Sequence, residues 1–126
     1  MARPQNRVWY DTPVGNRIQK IGVWYIPMIT EILRSPRKNK RFRAVITRDG
    51  KKVNVDFGYA GATTYIDGAT DKTKENYLKR HMANSTEKRL IENLVISPAL
   101  MSAKLLWGSS RDILRNIASL NQEWGH

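Results

Sequence analysis

Asp49-Gly50 sits at the centre of a run whose two halves mirror one another. Asp-Gly favours a two-residue type I′ turn, because both central positions need positive φ. With those residues as the loop, Ile46 faces Val53, Ala44 faces Val55 and Phe42 faces Phe57. On the opposite face Val45 meets Asn54, and Arg43 meets Asp56 as an opposite-charge pair. A slip of one residue would turn every apolar side chain to the wrong face, so the pattern dictates the register. Gly58 and Gly61 then lead into an expected third strand, Thr63–Ile66. The three strands would form a small antiparallel sheet with one face that needs cover.

The cover is expected from the C-terminal half. Asp71 can cap a helix over about 72–83, with Tyr77, Leu78, His81 and Met82 on or near one face. Ser85 or Thr86 opens a second helix through Leu90, Ile91 and Leu94. Ser97-Pro98 reads as an N-cap followed by proline at the first helical position, for a helix carrying Leu100, Met101, Leu105 and Trp107 up to a stop at Gly108. Ser109-x-x-Asp112 resembles a capping box opening a last helix, with Ile113, Leu114, Ile117 and Leu120 inward. Ahead of the hairpin, Val8-Trp9-Tyr10 stands in an aperiodic stretch and reads as an extended arm anchored by Trp9 and Tyr10. The helical spacing of Ile29, Ile32 and Leu33 after Pro27 predicts a short helix ending near Arg34. The fold class is therefore α+β: a three-stranded sheet with about four short helices in one domain over 41–126, preceded by a basic arm over 1–40.

Charge divides the chain unevenly. Residues 1–52 hold 13 Lys and Arg against 3 Asp and Glu, whereas residues 53–126 hold 9 against 8. The densest run, Arg34-Ser-Pro-Arg-Lys-Asn-Lys-Arg-Phe-Arg43, places Arg34, Arg37, Lys38, Lys40, Arg41 and Arg43 within ten residues. Such a run cannot bury itself and predicts a solvated loop leading into a strand. Folding alone does not require so segregated an excess, which points to contact with phosphates or with an acidic protein surface.

Several chemistries are excluded by composition. The chain has no cysteine, and thus no disulfide, thiol nucleophile, iron–sulfur cluster or thiolate zinc site. Two histidines, His81 and His126, are too few for a multi-histidine metal site within one chain. No apolar run approaches the ~18–20 residues that span a bilayer, and the start Met-Ala-Arg-Pro-Gln-Asn lacks an apolar signal core. His81 beside Arg80 is the one candidate general base, and no nucleophile, phosphate cradle or carboxylate pair accompanies it. The expectation is a soluble protein that is not an enzyme and needs no cofactor or metal. Trp107, at the end of an apolar stripe, is expected in the core. Trp124, with little local structure to bury it, is as consistent with docking on a neighbour.

The stretch from Phe42 to about Asn121 resembles a family of small uncharacterised proteins of large DNA viruses and some bacteriophages. The shared pattern is a basic hairpin, Phe57-Gly58, Gly61, Tyr65, and a helix carrying Asp71, Lys74, Asn76, Tyr77, Arg80 and His81, then Leu106-Trp107-Gly108. Asp67 departs from that pattern, which has a basic or imidazole side chain there. The resemblance implies viral origin and a virion component such as a minor capsid protein, present in the virion and, during assembly, in the host cytoplasm or nucleus. The expected partners are capsid proteins or other virion subunits, bound through the arm and the basic loop. The alternative is a viral nucleic-acid-binding protein that meets phosphates through Arg34–Arg43, so DNA is a further possible partner.

Overall fold

The computed structural model describes residues 26–125. Three strands, β1 (Met28–Arg34), β2 (Lys40–Arg48) and β3 (Lys51–Tyr59), form an antiparallel sheet in the order β1-β2-β3. Four helices follow: α1 (Asp71–Met82), α2 (Ser85–Glu92), α3 (Pro98–Met101) and α4 (Ile113–Trp124). A 3₁₀ turn at Tyr65–Asp67 precedes α1, and α3 runs directly into a π-helical segment, Ser102–Leu106.

The central hairpin has the expected register, with Phe42 opposite Phe57, Ala44 opposite Val55 and Ile46 opposite Val53. Asp49 and Gly50 both take positive φ, 54° and 75°, as a type I′ turn demands. The inner face of the sheet places Ile29, Ala44, Ile46, Val55 and Phe57 against Leu100, Met101, Leu105, Leu106 and Leu120. Trp107 is in that core, as its position on the apolar stripe predicted.

The third strand is not the expected one. It comes from Met28–Arg34, in the segment assigned to the arm and read as a short helix, and it pairs with β2. An irregularity between Ile29 and Glu31 explains the misreading: one residue is inserted there, so Ile29 and Ile32 both face the core. A strand with one inserted residue mimics the i, i+3 spacing of a helix. Thr63–Ile66, in contrast, does not join the sheet. The Asp67 carboxylate accepts hydrogen bonds from the Thr64 amide and hydroxyl, at 2.9 and 2.8 Å, and closes the chain into the 3₁₀ turn.

The helix starts are close to those expected, with shifted caps. Thr70 rather than Asp71 caps α1, and Asn84 caps α2 by accepting from Thr86 and Glu87 amides. Ser97 caps α3, with Pro98 at the first position as predicted. Asp112 itself caps α4 by accepting from the Leu114 amide. Leu114 is 64% exposed, not inward; the buried stripe is carried by Asn116 and Leu120 instead. Trp124 also folds back on its own domain. Its indole N–H donates to the Leu94 carbonyl at 3.0 Å, and its ring packs on the core.

Asn121 of α4 solves an edge problem. Its Oδ1 accepts from the Ile29 amide at 2.7 Å, and its Nδ2 donates to the Ile29 carbonyl at 3.1 Å. One side chain thus pairs with the backbone of edge strand β1, where open N–H and C=O groups would otherwise invite another strand.

Two ion pairs fasten the basic segment to the rest. Arg43 reaches Asp56 with Nε–Oδ1 at 2.9 Å and Nη2–Oδ2 at 3.0 Å, while Ser35 donates to the same carboxylate at 3.0 Å. Arg41 grips Asp67 with both terminal nitrogens. Hydrogen bonding from Arg41 holds the Asp67 carboxyl well below the usual carboxylate range, aided by the Thr64 donors and opposed by burial. Asp56 is lowered in the same way, first by Arg43. A carboxyl depressed in the folded state binds fewer protons there than in the unfolded chain, so its contribution is present above the unfolded pKa of about 4 and disappears as pH falls below it. We therefore expect the unfolding free energy to fall steadily from about pH 5 toward about pH 2 in urea titrations. Asp67→Asn should flatten that slope and cost about 1–2 kcal/mol at neutral pH, the lower end reflecting partial solvent exposure.

Candidate functional site

The ion pairs split the basic run into two groups. Arg41 and Arg43 are matched by carboxylates within the fold. Arg34, Arg37, Lys38 and Lys40 take part in no ion pair among the described residues. Arg34, Arg37 and Lys38 are exposed and Lys40 is half-buried. The turn 35–39, which carries Arg37 and Lys38 and is flanked by Arg34 and Lys40, is built rather than loose. The Ser35 amide donates to the Arg41 carbonyl at 3.1 Å, the Lys40 amide to the Arg37 carbonyl at 3.2 Å, and the Ser35 hydroxyl accepts from the Arg37 amide at 3.0 Å. The cations therefore project from a fixed frame.

Beside this turn lies a cleft of about 950 Å³, open to solvent. One wall is Asn39, Lys40 and Tyr59, where β2 and β3 pair at their far ends. Helix α1 lines the cleft with exposed Asn76 and Arg80 and half-buried Tyr77 and His81, and Trp107 contributes to the lining. Asn76, Tyr77, Arg80, His81 and Trp107 of the shared pattern thus meet in one cavity together with Lys40 from the basic run. The helical spacing explains the first four, since positions i, i+1, i+4 and i+5 share a face. Trp107 arrives from a different element. The π-helical turn, closed by the Trp107 amide donating to the Ser102 carbonyl at 3.1 Å, brings Ser102, Leu106 and Trp107 to the same cavity.

Three of the rings in the cleft, Tyr77, His81 and Trp107, are already partnered. Tyr77 stacks on Trp107 with ring centroids 4.4 Å apart and planes 11° from parallel, and His81 packs on Tyr77 at 4.2 Å. His81 Nδ1 is 2.6 Å from Glu87 Oε1, which fixes the imidazole from α2. Burial pushes the Tyr77 phenol above its ordinary value, and the Glu87 carboxylate adds to the rise. Arg80 has no ion-pair partner among the described residues, and its guanidinium lies 5.9 Å from the Tyr77 ring centroid. The cleft therefore presents two cations in no ion pair among the described residues, Lys40 and Arg80, with polar side chains and the His81-bound Glu87 carboxylate around them.

Other residues of the shared pattern have a structural task. Tyr65 is flanked by Lys74 Nζ at 4.4 Å and the Arg111 guanidinium at 4.0 Å from its ring centroid, and its hydroxyl donates to Asp71 at 2.7 Å. Lys74 also donates to the Gly108 carbonyl at 2.7 Å, and Arg111 to the Tyr65 and Ala69 carbonyls. These bonds clamp α1 between the 3₁₀ turn and the start of α4. Asp67, the departure from the pattern, is explained by Arg41, whose charge it matches.

The proposed arm anchor, Trp9 and Tyr10, lies outside the described residues. Tyr59 at the cleft mouth was not singled out by sequence reasoning. Its signal was available: it ends a strand beyond Gly58, past the paired apolar face, where an aromatic has no inner surface to fill. No helix among the described residues is long and apolar enough to cross a membrane.

A family of unknown function (DUF5754) matches residues 30–81, a span that runs from β1 to the end of the cleft-forming face of α1. Uncharacterized protein L851 of Acanthamoeba polyphaga mimivirus is 35% identical over 79 residues, covering 61% of this chain and 79% of its own length. No solved structure matches the chain. The matched span carries the basic turn, the hairpin and the cleft residues Asn39, Lys40, Tyr59, Asn76, Tyr77, Arg80 and His81, and on that likeness the chain belongs to this family of uncharacterised proteins of large DNA viruses.

Proposed function

We propose that this viral protein binds nucleic-acid phosphates through the turn joining β1 to β2 and the adjoining cleft. The observation that carries the reading is the division of the basic run. The fold matches Arg41 and Arg43 with carboxylates, yet Arg34, Arg37, Lys38 and Lys40, on or beside a hydrogen-bonded turn, make no ion pair among the described residues. Cations needed only for folding would be paired or dispersed; a fixed, self-repelling group favours an external polyanion. Each phosphate neutralised on duplex DNA releases counterions, so log affinity falls against log salt by about 0.9 per contact. Engagement of the four cations should contribute a slope near −3.6. In fluorescence anisotropy with a labelled duplex, the combined Arg34→Gln, Arg37→Gln, Lys38→Gln and Lys40→Gln variant should lose most of that slope and bind far more weakly. Absence of binding by the natural sequence at low salt, or binding insensitive to salt, defeats the reading.

A second reading is a minor capsid or virion-internal protein that ties subunits together. It is favoured by Met28 and Leu33, which are 50% and 42% exposed on edge strand β1 and offer apolar contact to a neighbour. Mass spectrometry of purified virions tests it: a structural copy number supports the role, and absence from virions removes it. The two readings are compatible if the protein holds packaged genome inside the particle.

A further inference from the structure

We infer that the cleft is a single-strand site, in which a base stacks on Tyr59 while the flanking phosphates meet Lys40 and Arg80. This rests on the phosphate-binding reading above and names the form of nucleic acid the cleft accepts. Tyr59 is 73% exposed, the most exposed large apolar side chain among the described residues, and it forms part of the cleft wall. It pairs across the sheet with Lys40, so a cation and an uncovered aromatic ring stand side by side at the mouth. The other rings of the cleft cannot take a base in the same way: Tyr77 is covered by Trp107 on one side and by His81, and Trp107 is buried. Tyr59 is thus the ring left available.

An exposed tyrosine at this position adds little to the core, while base–aromatic stacking strengthens single-strand binding whatever the base, because every base has a π-face. In a duplex the bases are already stacked on one another, and their faces are closed to a side chain. A volume of about 950 Å³ lies within the usual range of ligand pockets and is large enough to admit a splayed nucleotide. Asn76, Thr63 and Thr73 supply hydrogen-bonding groups along the same walls. Their chemistry suits sugar and base edges without demanding one sequence.

The test compares an oligothymidylate of about 12 nucleotides with a duplex, each titrated at several salt concentrations against the full chain and its Tyr59→Ala and Tyr59→Phe variants. We expect Tyr59→Ala to weaken single-strand binding by about tenfold, with its salt slope unchanged and duplex affinity unaffected, and Tyr59→Phe to bind like the natural sequence. Arg80→Gln should instead reduce the single-strand slope by about 0.7, the value for one phosphate contact. Salt-dependent binding that Tyr59→Ala leaves intact, or weakens equally for duplex and single strand, overturns the inference and leaves the phosphate reading standing. Failure of the natural sequence to bind either nucleic acid in a salt-dependent way overturns both. Because Tyr59 is so exposed, the thermal unfolding of Tyr59→Ala should match that of the natural sequence, which separates lost stacking from lost fold.

Discussion

Phe57→Ala should lower the unfolding free energy by about 3–5 kcal/mol, the usual loss when a fully buried aromatic is truncated in a core. Phe57 is 0% exposed and lies on the sheet's inner face, near the end of β3. Its ring meets Phe42 in a tilted arrangement with centroids 5.9 Å apart, and the helical layer closes over it. Domains of this size are held by only about 5–15 kcal/mol in total, so the variant should be partly unfolded near body temperature. Urea unfolding followed by circular dichroism checks the size of the effect. Phe57→Leu, which keeps most of the apolar volume, should cost far less. The residue also bears on function: Gly58 and Tyr59 follow it directly, and Tyr59 forms the mouth of the cleft. Binding lost in Phe57→Ala should therefore return in proportion to the folded fraction when an osmolyte stabilises the protein.

Asn116→Ala should cost about 2–4 kcal/mol, more than most polar substitutions, because it leaves several buried groups without partners at once. Asn116 is 2% exposed. Its Nδ2 donates to the Leu105 carbonyl at 2.9 Å and to the Ser110 carbonyl at 2.8 Å, while its Oδ1 accepts from the Ser110 amide at 3.0 Å. One side chain thus satisfies the backbone where the π-helical segment ends and the chain turns toward α4. The turn admits no substituent at Gly108, since a Cβ there would collide with the Lys104 carbonyl oxygen and stand 2.8 Å from Asn116 Cγ. Asn116→Leu should not recover the loss, because an apolar side chain of similar size leaves the same carbonyls and amide unpaired. Hydrogen exchange gives the local readout: the Ser110 amide should lose protection in Asn116→Ala even under conditions where the β2–β3 hairpin keeps its own.

The contrast between these two sites shows which features can be read along a chain. Phe57 was legible as a core residue because it stands opposite Phe42 in a register that the Asp49-Gly50 turn dictates. Asn116 was not, although it had a signature: an asparagine placed three residues after Ile113 and four before Leu120, on the apolar face of a helix. Leu114 is the better core candidate by hydrophobicity, yet at roughly 100° per residue helical geometry turns it well away from Ile113 and Leu120, and it is 64% exposed. Hydrophobicity alone does not reveal a position that the fold reserves for hydrogen bonding to the backbone of another element.

The candidate site divides along the same line. Asn76, Tyr77, Arg80 and His81 could be grouped from their spacing on one helix. That Lys40 faces them across a cleft, that Trp107 joins them by way of a π-helical turn, and that Tyr59 stands open at the mouth all depend on packing between distant segments. The basic run was visible as a block of charge, but only the fold separates Arg41 and Arg43, committed to Asp67 and Asp56, from the four cations that make no ion pair among the described residues.

By itself, the sequence determined the central hairpin and its register, the start of α3 at Ser97-Pro98, and the concentration of positive charge ahead of the helices. Each follows from chemistry acting over a few neighbouring residues: the φ demanded by a turn, alternation across a pleat, an N-cap next to proline, repulsion within a charged run. Tertiary structure decided that Met28–Arg34 is a strand, that Thr63–Ile66 is not, and that a cleft lies between the sheet and α1. The reason is the separation of the groups involved. The Asn121 side chain that pairs with Ile29 reaches across 92 positions of the chain, and the inserted residue beside Ile29 gives that strand a helical spacing when read alone.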